Sequence, residues 1–256
     1  KANYWIIPAI EIKRSKGISR GKSDKVDAKD IAYYAHAHSY KLQLHELPEA
    51  DILKLKLLQT EREKLLKAIA ILKSTNENEG FLPKELLKEI SKTNKRALVG
   101  LQKALAEIEK QISAIVKENE TIRKQFNLVK SVPGVGPQTA IYLIVVTKCF
   151  TAFSNWRKLA CYSGVAPFEY TSGSSIRGKT KVHHLADKKL KSLLNMCALS
   201  ATRCDSELSE YYMRKTKEQG KNGMLVMNAI RCKILSRTFA TVTRGTPFVD
   251  TKKYAA

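Results

Sequence analysis

The sequence has few cysteines, no long apolar run and few acidic residues, and each shortage excludes a class of protein. Its five cysteines form no C-x2-C pair and are odd in number, which argues against a zinc site or a disulfide framework. No apolar run approaches the ~20 residues of a membrane span and no signal peptide is apparent, so we expect no membrane partner. Reduced thiols predict a cytoplasmic protein.

The shortage of acidic residues leaves a large positive charge. The 256 residues include 46 Lys and Arg against 24 Asp and Glu, a net charge of +22. Basic and acidic residues number nine and five in 1–46, 16 and 12 in 47–129, and 21 and seven in 130–256. This charge favours nucleic acid as the partner, with a membrane surface as the alternative. We place the main phosphate-contacting surface after residue 130.

The N-terminal segment, residues 1–46, predicts a strand followed by a helix. Tyr4 to Ile12 is rich in aromatic and β-branched residues and predicts a short strand or edge piece, although Pro8 interrupts it. A basic loop with two glycines follows. A helix is expected to begin near Ser23 or Asp24.

Two carboxylates occupy the start of that helix. Asp24 and Asp27 are three residues apart and therefore share a helix face. Side chains so placed can bind a divalent metal ion that polarises a phosphodiester. The same spacing also suits a helix cap and a first-turn acid. Two carboxylates alone are too few for a two-metal nuclease.

Residues 47–125 predict two antiparallel helical arms. Apolar residues step by three and four along the second arm, a heptad seam of Leu98, Leu101, Leu105, Ile108, Ile112 and Ile115. The polar run 74–80 and Pro83 separate the arms, and we expect a short helix near 84–92 between them. The seam suits either a helical hairpin within one chain or a dimerising coiled coil.

Residues 126–256 predict a compact helical domain that opens with a glycine turn. The run from Val132 to Ala140 reads VPGVGPQTA and matches the hairpin of a helix-hairpin-helix. Glycines permit the tight turn, and the amides at the start of the next helix can bind a phosphate oxygen without reading a base. Val132 and Val135 would anchor the turn. The predicted DNA-binding residues here are Val132, Gly134, Val135, Gly136 and Thr139.

A second loop in this domain combines small hydroxyl residues with cations. Ser172, Ser174 and Ser175 lie among glycines shortly before Arg177, Lys179 and Lys181. Such a loop can present a serine to a phosphodiester, with the cations stabilising the developing charge. A loop that only touches phosphate has the same composition. We therefore add Arg177, Lys179 and Lys181 to the predicted DNA contacts.

Taken in order, these motifs resemble the IS110-type insertion-sequence transposases, which are related to the Piv DNA invertases. KSDKVDA at 22–28 resembles the end of the family's RuvC-like DEDD nuclease domain, and the arms resemble its coiled-coil insertion. Residues 132–140, the WRKLA run at 156–160 and the serine loop resemble its C-terminal transposase domain. The resemblance implies a mainly α fold: coiled-coil arms, a helix-hairpin-helix domain and a short α/β RuvC-like remnant.

The resemblance also implies a mechanism. In this family the DEDD carboxylates bind divalent metal, and a serine is the nucleophile on DNA. Carried over, Asp24 and Asp27 become the last two acids of a Mg²⁺ or Mn²⁺ site, and Ser172 becomes the nucleophile, with Ser174 and Ser175 as alternatives. The first two acids are expected before residue 1. Some members are guided by a structured RNA from their own element, so a guide RNA is an implied partner.

The sequence therefore predicts a DNA transposase or site-specific recombinase that cuts and rejoins double-stranded DNA. It is expected to act as a dimer or tetramer, because two duplexes must be held together, and the heptad arms would supply the contact. One alternative is a non-enzymatic helix-hairpin-helix DNA-binding protein. Another is a coiled-coil assembly protein whose basic face is incidental.

Overall fold

The computed structural model describes residues 4–17, 23–74, 84–166, 168–172, 176–182 and 185–250, and for residues 84–87, 89–90, 168–172 and 176–181 the backbone alone. The described chain is mainly helical. It divides into two compact units, Lys1–Pro48 and Glu49–Ala256. No helix in the described ranges is long and apolar enough to cross a membrane. All five cysteines are free thiols.

The first unit contains helix α1 (Ala9–Ser15), helix α2 (Asp24–Ala37) and a 3-10 turn (Ser39–Lys41). The buried ring of Tyr34 stacks on His38 with centroids 4.2 Å apart, and its hydroxyl donates to Glu11 Oε2 at 3.1 Å. Lys16 forms an ion pair with Asp30. Contacts between side chains of α1 and α2 thus hold this small unit together.

The strand predicted between Tyr4 and Ile12 is wrong. Residues 4–8 are irregular, and α1 begins at Ala9 directly after Pro8, which has an extended backbone and stands at the N-cap. Proline lacks the N–H that a strand ladder needs, whereas the N–H groups at a helix start have no intrahelical partner. The proline that interrupts the strand pattern therefore marks the boundary of a helix.

The two arms are helix α3 (Ala50–Ser74) and helix α4 (Lys84–Glu118), which pack against each other. The separate short helix expected at 84–92 is wrong, because these residues are the first turns of the continuous α4. Of the break predicted at 74–80 and Pro83, Ser74 is the last residue of α3, and the rest lies outside the described residues. Arg62 Nε donates to Glu109 Oε1 at 2.9 Å across the pair.

The heptad seam packs within the chain at its C-terminal end. Ile112 and Ile115 of α4 are buried together with Ile52 and Leu55 of α3, in an apolar cluster that also takes residues from the two helices that follow. Leu98, Leu101 and Leu105, nearer the start of α4, are only half-buried. The arms are therefore rooted in the rest of the second unit and less covered farther out.

The remaining chain adds helices α5 (Glu120–Lys130), α6 (Pro137–Val146), α7 (Trp156–Tyr162), α8 (Lys188–Cys204), α9 (Ser206–Met213) and α10 (Gly223–Arg244), with a π-helical turn at Arg214–Glu218. Polar side chains cap several of these helices: Asn119, Asn155, Asp187, Asp205 and Asn222 each accept from a backbone N–H of the first turn. Such caps satisfy N–H groups that lack an intrahelical partner.

A two-stranded antiparallel hairpin interrupts the helices. Strand β1 (Phe168–Ser172) pairs with β2 (Ile176–Lys181), with a register irregularity between Phe168 and Tyr170. The sequence predicted only a loop here, because glycine and serine dominate its tip. The main core of the unit is built from α5 to α10, with Leu159, Leu190 and Ile234 fully buried.

Candidate nucleic-acid interface

The glycine turn at 131–136 joins α5 to α6, and its two glycines have different surroundings. Gly134 has a φ of 85°, and a Cβ built on it would lie 2.5 Å from the Cys197 carbonyl oxygen and 2.7 Å from Ala201 Cβ. Gly134 thus faces α8. Gly136 has a φ of −84°, and a Cβ there would meet nothing within 4 Å. The space on the Cβ side of Gly136 is therefore open, while the Gly136 backbone forms a hydrogen bond with the Cys197 thiol.

Three other residues predicted to bind DNA are buried. Val132 is 1% exposed, Val135 6% and Thr139 5%. The Cys197 thiol donates to the Thr139 hydroxyl oxygen at 3.4 Å, and burial raises the pKa of that thiol. These side chains pack the turn onto α8. A DNA contact at this turn would therefore go through backbone groups rather than through these side chains.

The start of α6 offers such backbone groups. Gly136 is the N-cap residue, and it has no side chain that could accept a hydrogen bond from the first turn. Pro137 occupies the first helical position. The next N–H groups along the helix therefore have no side-chain acceptor, and they lie at the positive end of the helix dipole. Pro137 is exposed and Gln138 half-buried. An anion such as a phosphate oxygen fits this position.

The predicted nucleophile and cations lie on the β-hairpin. Ser172 is the last residue of β1, and its backbone pairs with Ile176. Arg177 lies on β2 and pairs with Thr171 of β1. Strand β2 also carries Lys179 and Lys181. Ser174 and Ser175 lie outside the described residues. The hairpin therefore brings the backbones of Ser172 and the cationic strand together.

The base of the hairpin is held by contacts from distant parts of the chain. Asn228 of α10 donates its side-chain N–H to the Val165 carbonyl oxygen at 2.6 Å. A Cβ on Gly164, which has a φ of 67°, would lie 2.7 Å from Ala186 Cβ and 2.9 Å from Val182 Cγ1. The chain entering β1 and the chain leaving β2 therefore touch at Gly164, and the hairpin is anchored at both ends.

Asp187 fixes the outgoing end. Its carboxylate caps α8 by accepting from the Leu190 N–H at 2.9 Å, and it accepts from the Tyr142 hydroxyl at 2.9 Å. Its backbone N–H donates to the Tyr162 carbonyl oxygen at 2.8 Å. Burial, and then the Asp187 charge, raise the pKa of both tyrosines, so the hydroxyls stay protonated and donate.

Asp24 and Asp27 lie in the first turn of α2, and both are exposed. The N-cap is Ser23, whose hydroxyl accepts from the Val26 N–H at 3.3 Å, so neither aspartate is needed as the cap. Within the described ranges no group of three or more His, Cys, Asp or Glu could hold a metal ion. These two carboxylates therefore do not form a complete metal site by themselves.

Sequence reasoning missed the residues that hold the hairpin. Asn228 is 63 positions from the carbonyl group that it binds, and no local pattern connects them. Asp187 carried a local signal, because it directly precedes a basic helix, where an N-cap is expected. Gly164 lies in an ordinary glycine turn, and its close approach to Ala186 depends on tertiary packing.

The same part of the chain matches known proteins. Residues 126–213 match the model of the "Transposase IS116/IS110/IS902 family". The chain is 25% identical over 145 residues to the "Pilin gene-inverting protein" of Moraxella lacunata. The aligned residues are 57% of this chain and 45% of that protein. The protein of the same name from Moraxella bovis has the same identity and coverage.

A third relative is the "Insertion element IS110 uncharacterized 43.6 kDa protein" of Streptomyces coelicolor. It is 29% identical over 139 residues, which are 54% of this chain and 33% of that protein. The chain thus spans less than half the length of these curated relatives. The family model and the relatives agree in pointing to the IS110-type transposases, to which this chain is similar.

Proposed function

We propose that this chain is the DNA-binding and strand-joining part of a transposase or site-specific recombinase. The observation that carries the proposal is the family match at 126–213, which contains both the glycine turn and the serine hairpin. Both lie in the segment after residue 130, whose 21 basic and seven acidic residues supply most of the positive charge. This chain is similar to two proteins whose name, pilin gene-inverting protein, states that they invert a gene.

DNA binding would begin at the backbone. The N-terminus of α6, directly after Gly136, binds a phosphate oxygen without selecting a base, while Lys and Arg residues of the domain neutralise neighbouring phosphates. Val132, Gly134, Val135 and Thr139 hold the turn in place from behind. The contact therefore fixes the position of the duplex and leaves sequence selection to other groups.

The chemical step is proposed for Ser172. Its hydroxyl oxygen attacks the phosphorus of a DNA phosphodiester, a bond forms between serine oxygen and phosphorus, and the bond to one deoxyribose oxygen breaks. The serine proton leaves to solvent or a base, and the departing deoxyribose oxygen gains a proton. Arg177, Lys179 and Lys181 would stabilise the charge of the transition state. The reverse attack by another strand's hydroxyl rejoins DNA without net hydrolysis.

The test is a covalent adduct. The natural protein that contains this sequence is incubated with labelled DNA of its own element, quenched in detergent and resolved on a denaturing gel. Ser172→Ala should remove the labelled protein band, while Ser174→Ala and Ser175→Ala serve as matched controls and should keep it. A band that survives in Ser172→Ala refutes Ser172 as nucleophile. Loss of the band in Ser174→Ala or Ser175→Ala alone moves the role to that residue.

DNA binding needs its own measurement on this chain. Fluorescence anisotropy with a labelled duplex should give an affinity that falls steeply with salt, with a slope of about −0.9 per phosphate neutralised. Binding without any adduct would favour the non-enzymatic DNA-binding alternative. An affinity that does not change with salt would contradict the proposed cationic surface.

Asp24 and Asp27 are proposed as part of a Mg²⁺ or Mn²⁺ site. Both side chains are exposed on the first turn of one helix, with Ser23 as the cap, so they are available as ligands. At least one further ligand would have to come from residues that the described ranges do not place beside them. When bound, the metal would polarise a phosphodiester.

The partners beyond DNA are also proposals. Leu98, Leu101 and Leu105 of α4 are half-buried, and a second copy packed against them would cover the apolar surface that they still expose, as a dimer or tetramer requires. Analytical ultracentrifugation tests this, and a monomer at high concentration would refute it. A structured RNA of the same element is the other proposed partner, tested by sequencing RNA that copurifies. Free thiols favour a reducing compartment such as the cytoplasm.

A further inference from the structure

Arg231 of α10 is a buried cation without a carboxylate partner among the described residues. It is 5% exposed. One terminal nitrogen donates to Asn228 Oδ1 at 3.4 Å and the other to Asn195 Oδ1, so both described acceptors are neutral amides. Its Nε–H is buried and has no hydrogen-bond partner in the part of the chain that the structure describes. A guanidinium has five N–H groups, so its donor capacity is far from used.

A second arginine on the same helix shows how this domain otherwise compensates a shielded guanidinium. Arg237 donates to Asp205 Oδ2 at 2.6 Å and to Glu207 Oε2 at 2.5 Å, with 11% of its own side chain exposed. Two carboxylates therefore balance Arg237, whereas both described acceptors of Arg231 are neutral amide oxygens. A buried charge without a counter-ion is costly, and burial lowers the pKa of Arg231. An anion from outside the chain would remove this cost.

The position of Arg231 connects it to the serine hairpin. Asn228 accepts from Arg231 with its side-chain oxygen and donates with its side-chain nitrogen to the Val165 carbonyl, three residues before β1 begins. Asn195 and Asn228 are only half-buried, so the guanidinium lies behind two partly accessible amides. The unpaired donors are thus found where the hairpin joins the core.

We propose that Arg231, oriented by Asn195 and Asn228, is an anion site that binds one phosphodiester of the DNA backbone beside the serine hairpin. The assignment of the anion to DNA rests on the function proposed above. The anion site itself rests on the burial of Arg231 and on the lack of a carboxylate partner for it among the described residues. A planar guanidinium suits two phosphate oxygens at once, which lysine cannot match.

The first test is thermal unfolding of the chain with two probes, inorganic phosphate and dithymidine monophosphate, against NaCl at equal ionic strength. Each probe should raise Tm in a saturable way, by about 3–6 °C at ten times its Kd. Arg231→Met should remove this rise and should not lower Tm in NaCl alone. The exposed Arg203→Met is the matched control and should keep the rise.

A second variant places a negatively charged side chain of the protein itself beside Arg231. Asn195→Asp places a carboxylate where Arg231 already donates, with little change in shape. It should raise Tm in NaCl alone and should cancel the rise caused by either probe. Because this variant adds a favourable pair, it decides the question even if Arg231→Met does not fold.

Four outcomes overturn the proposal. A probe-induced rise that survives in both Arg231→Met and Asn195→Asp means an adventitious ion only. An Arg231→Met variant as destabilised in NaCl as Arg237→Met means that Arg231 has a purely structural role. An Asn195→Asp variant that is less stable in NaCl means that the charge was already balanced. A rise with phosphate but none with dithymidine monophosphate excludes the DNA backbone. These measurements require no strand cleavage, so they stand or fall independently of Ser172.

Discussion

Substitutions of the two glycines in the 131–136 turn should have different effects: one on the stability of the fold and the other on DNA binding. In Gly134→Ala the new Cβ would lie 2.5 Å from a backbone oxygen of α8 and 2.8 Å from the Ala201 backbone nitrogen. Backbone atoms in a packed helix cannot move aside as a flexible side chain can. The φ of 85° adds strain, because side chains other than glycine rarely adopt it.

The magnitude follows from these two costs. A left-handed backbone costs an alanine about 1–2 kcal/mol, and forcing an extra methyl group into a packed interior costs about 1–3 kcal/mol. Gly134→Ala should therefore lower the free energy of unfolding by about 2–5 kcal/mol. Gly136→Ala has a φ of −84° and open space, so its stability should stay within about 0.5 kcal/mol of the parent.

Urea unfolding followed by circular dichroism measures both variants, and fluorescence anisotropy with a labelled duplex measures binding. Gly136→Ala should weaken binding at unchanged stability, because a methyl group blocks the close approach of a phosphate to the backbone. The reasoning is refuted if Gly134→Ala is as stable as the parent. A Gly136→Ala variant that binds DNA normally would exclude this turn as the phosphate contact.

Three further predictions concern stability in the same domain. Arg237→Met leaves Asp205 and Glu207 without their shared cation and should cost about 3 kcal/mol in urea unfolding, since removing one partner of a buried pair strands the other; an unchanged midpoint would contradict it. The hydrogen bond from Lys233, together with the charges of Arg237 and Lys233, outweighs desolvation and holds the pKa of Glu207 below its ordinary value of 4.5. Its contribution is therefore present at neutral pH and lost as the pH falls through the lowered pKa, so the stability gap between the parent and Glu207→Gln should close below pH 4.5. A gap that persists at pH 2 would refute this sign. Asp187→Ala removes the α8 cap and should cost about 1–2 kcal/mol, whereas Asp187→Asn keeps an acceptor and should cost less.

Much of the helical architecture could be predicted from local pattern. The start of α2 near Ser23 was predicted within one residue, because a hydroxyl followed by acids in the first turn is a helix start signal. The arms followed from their apolar spacing. The strand predicted at 4–12 also came from local pattern, and it was wrong. The prediction gave β-branched and aromatic composition more weight than Pro8, which marks the start of a helix.

The candidate site could be predicted only in outline. Ser172 and the cations of β2 came from composition and from a family resemblance, and their roles remain predictions. That Val132, Val135 and Thr139 are buried depends on how α8 packs, which spacing cannot reveal.

The sequence by itself determined the charge, the helical spacing, the caps and the motifs that resemble the IS110-type transposases, because each depends on residues close together along the chain. Tertiary structure alone decided which glycine faces a helix, which residues hold the serine hairpin, and that Arg231 lacks a described carboxylate while Arg237 has two. These features join residues dozens of positions apart. They arise only when the helices pack, since burial sets both the space around a Cβ and the cost of an unpaired charge.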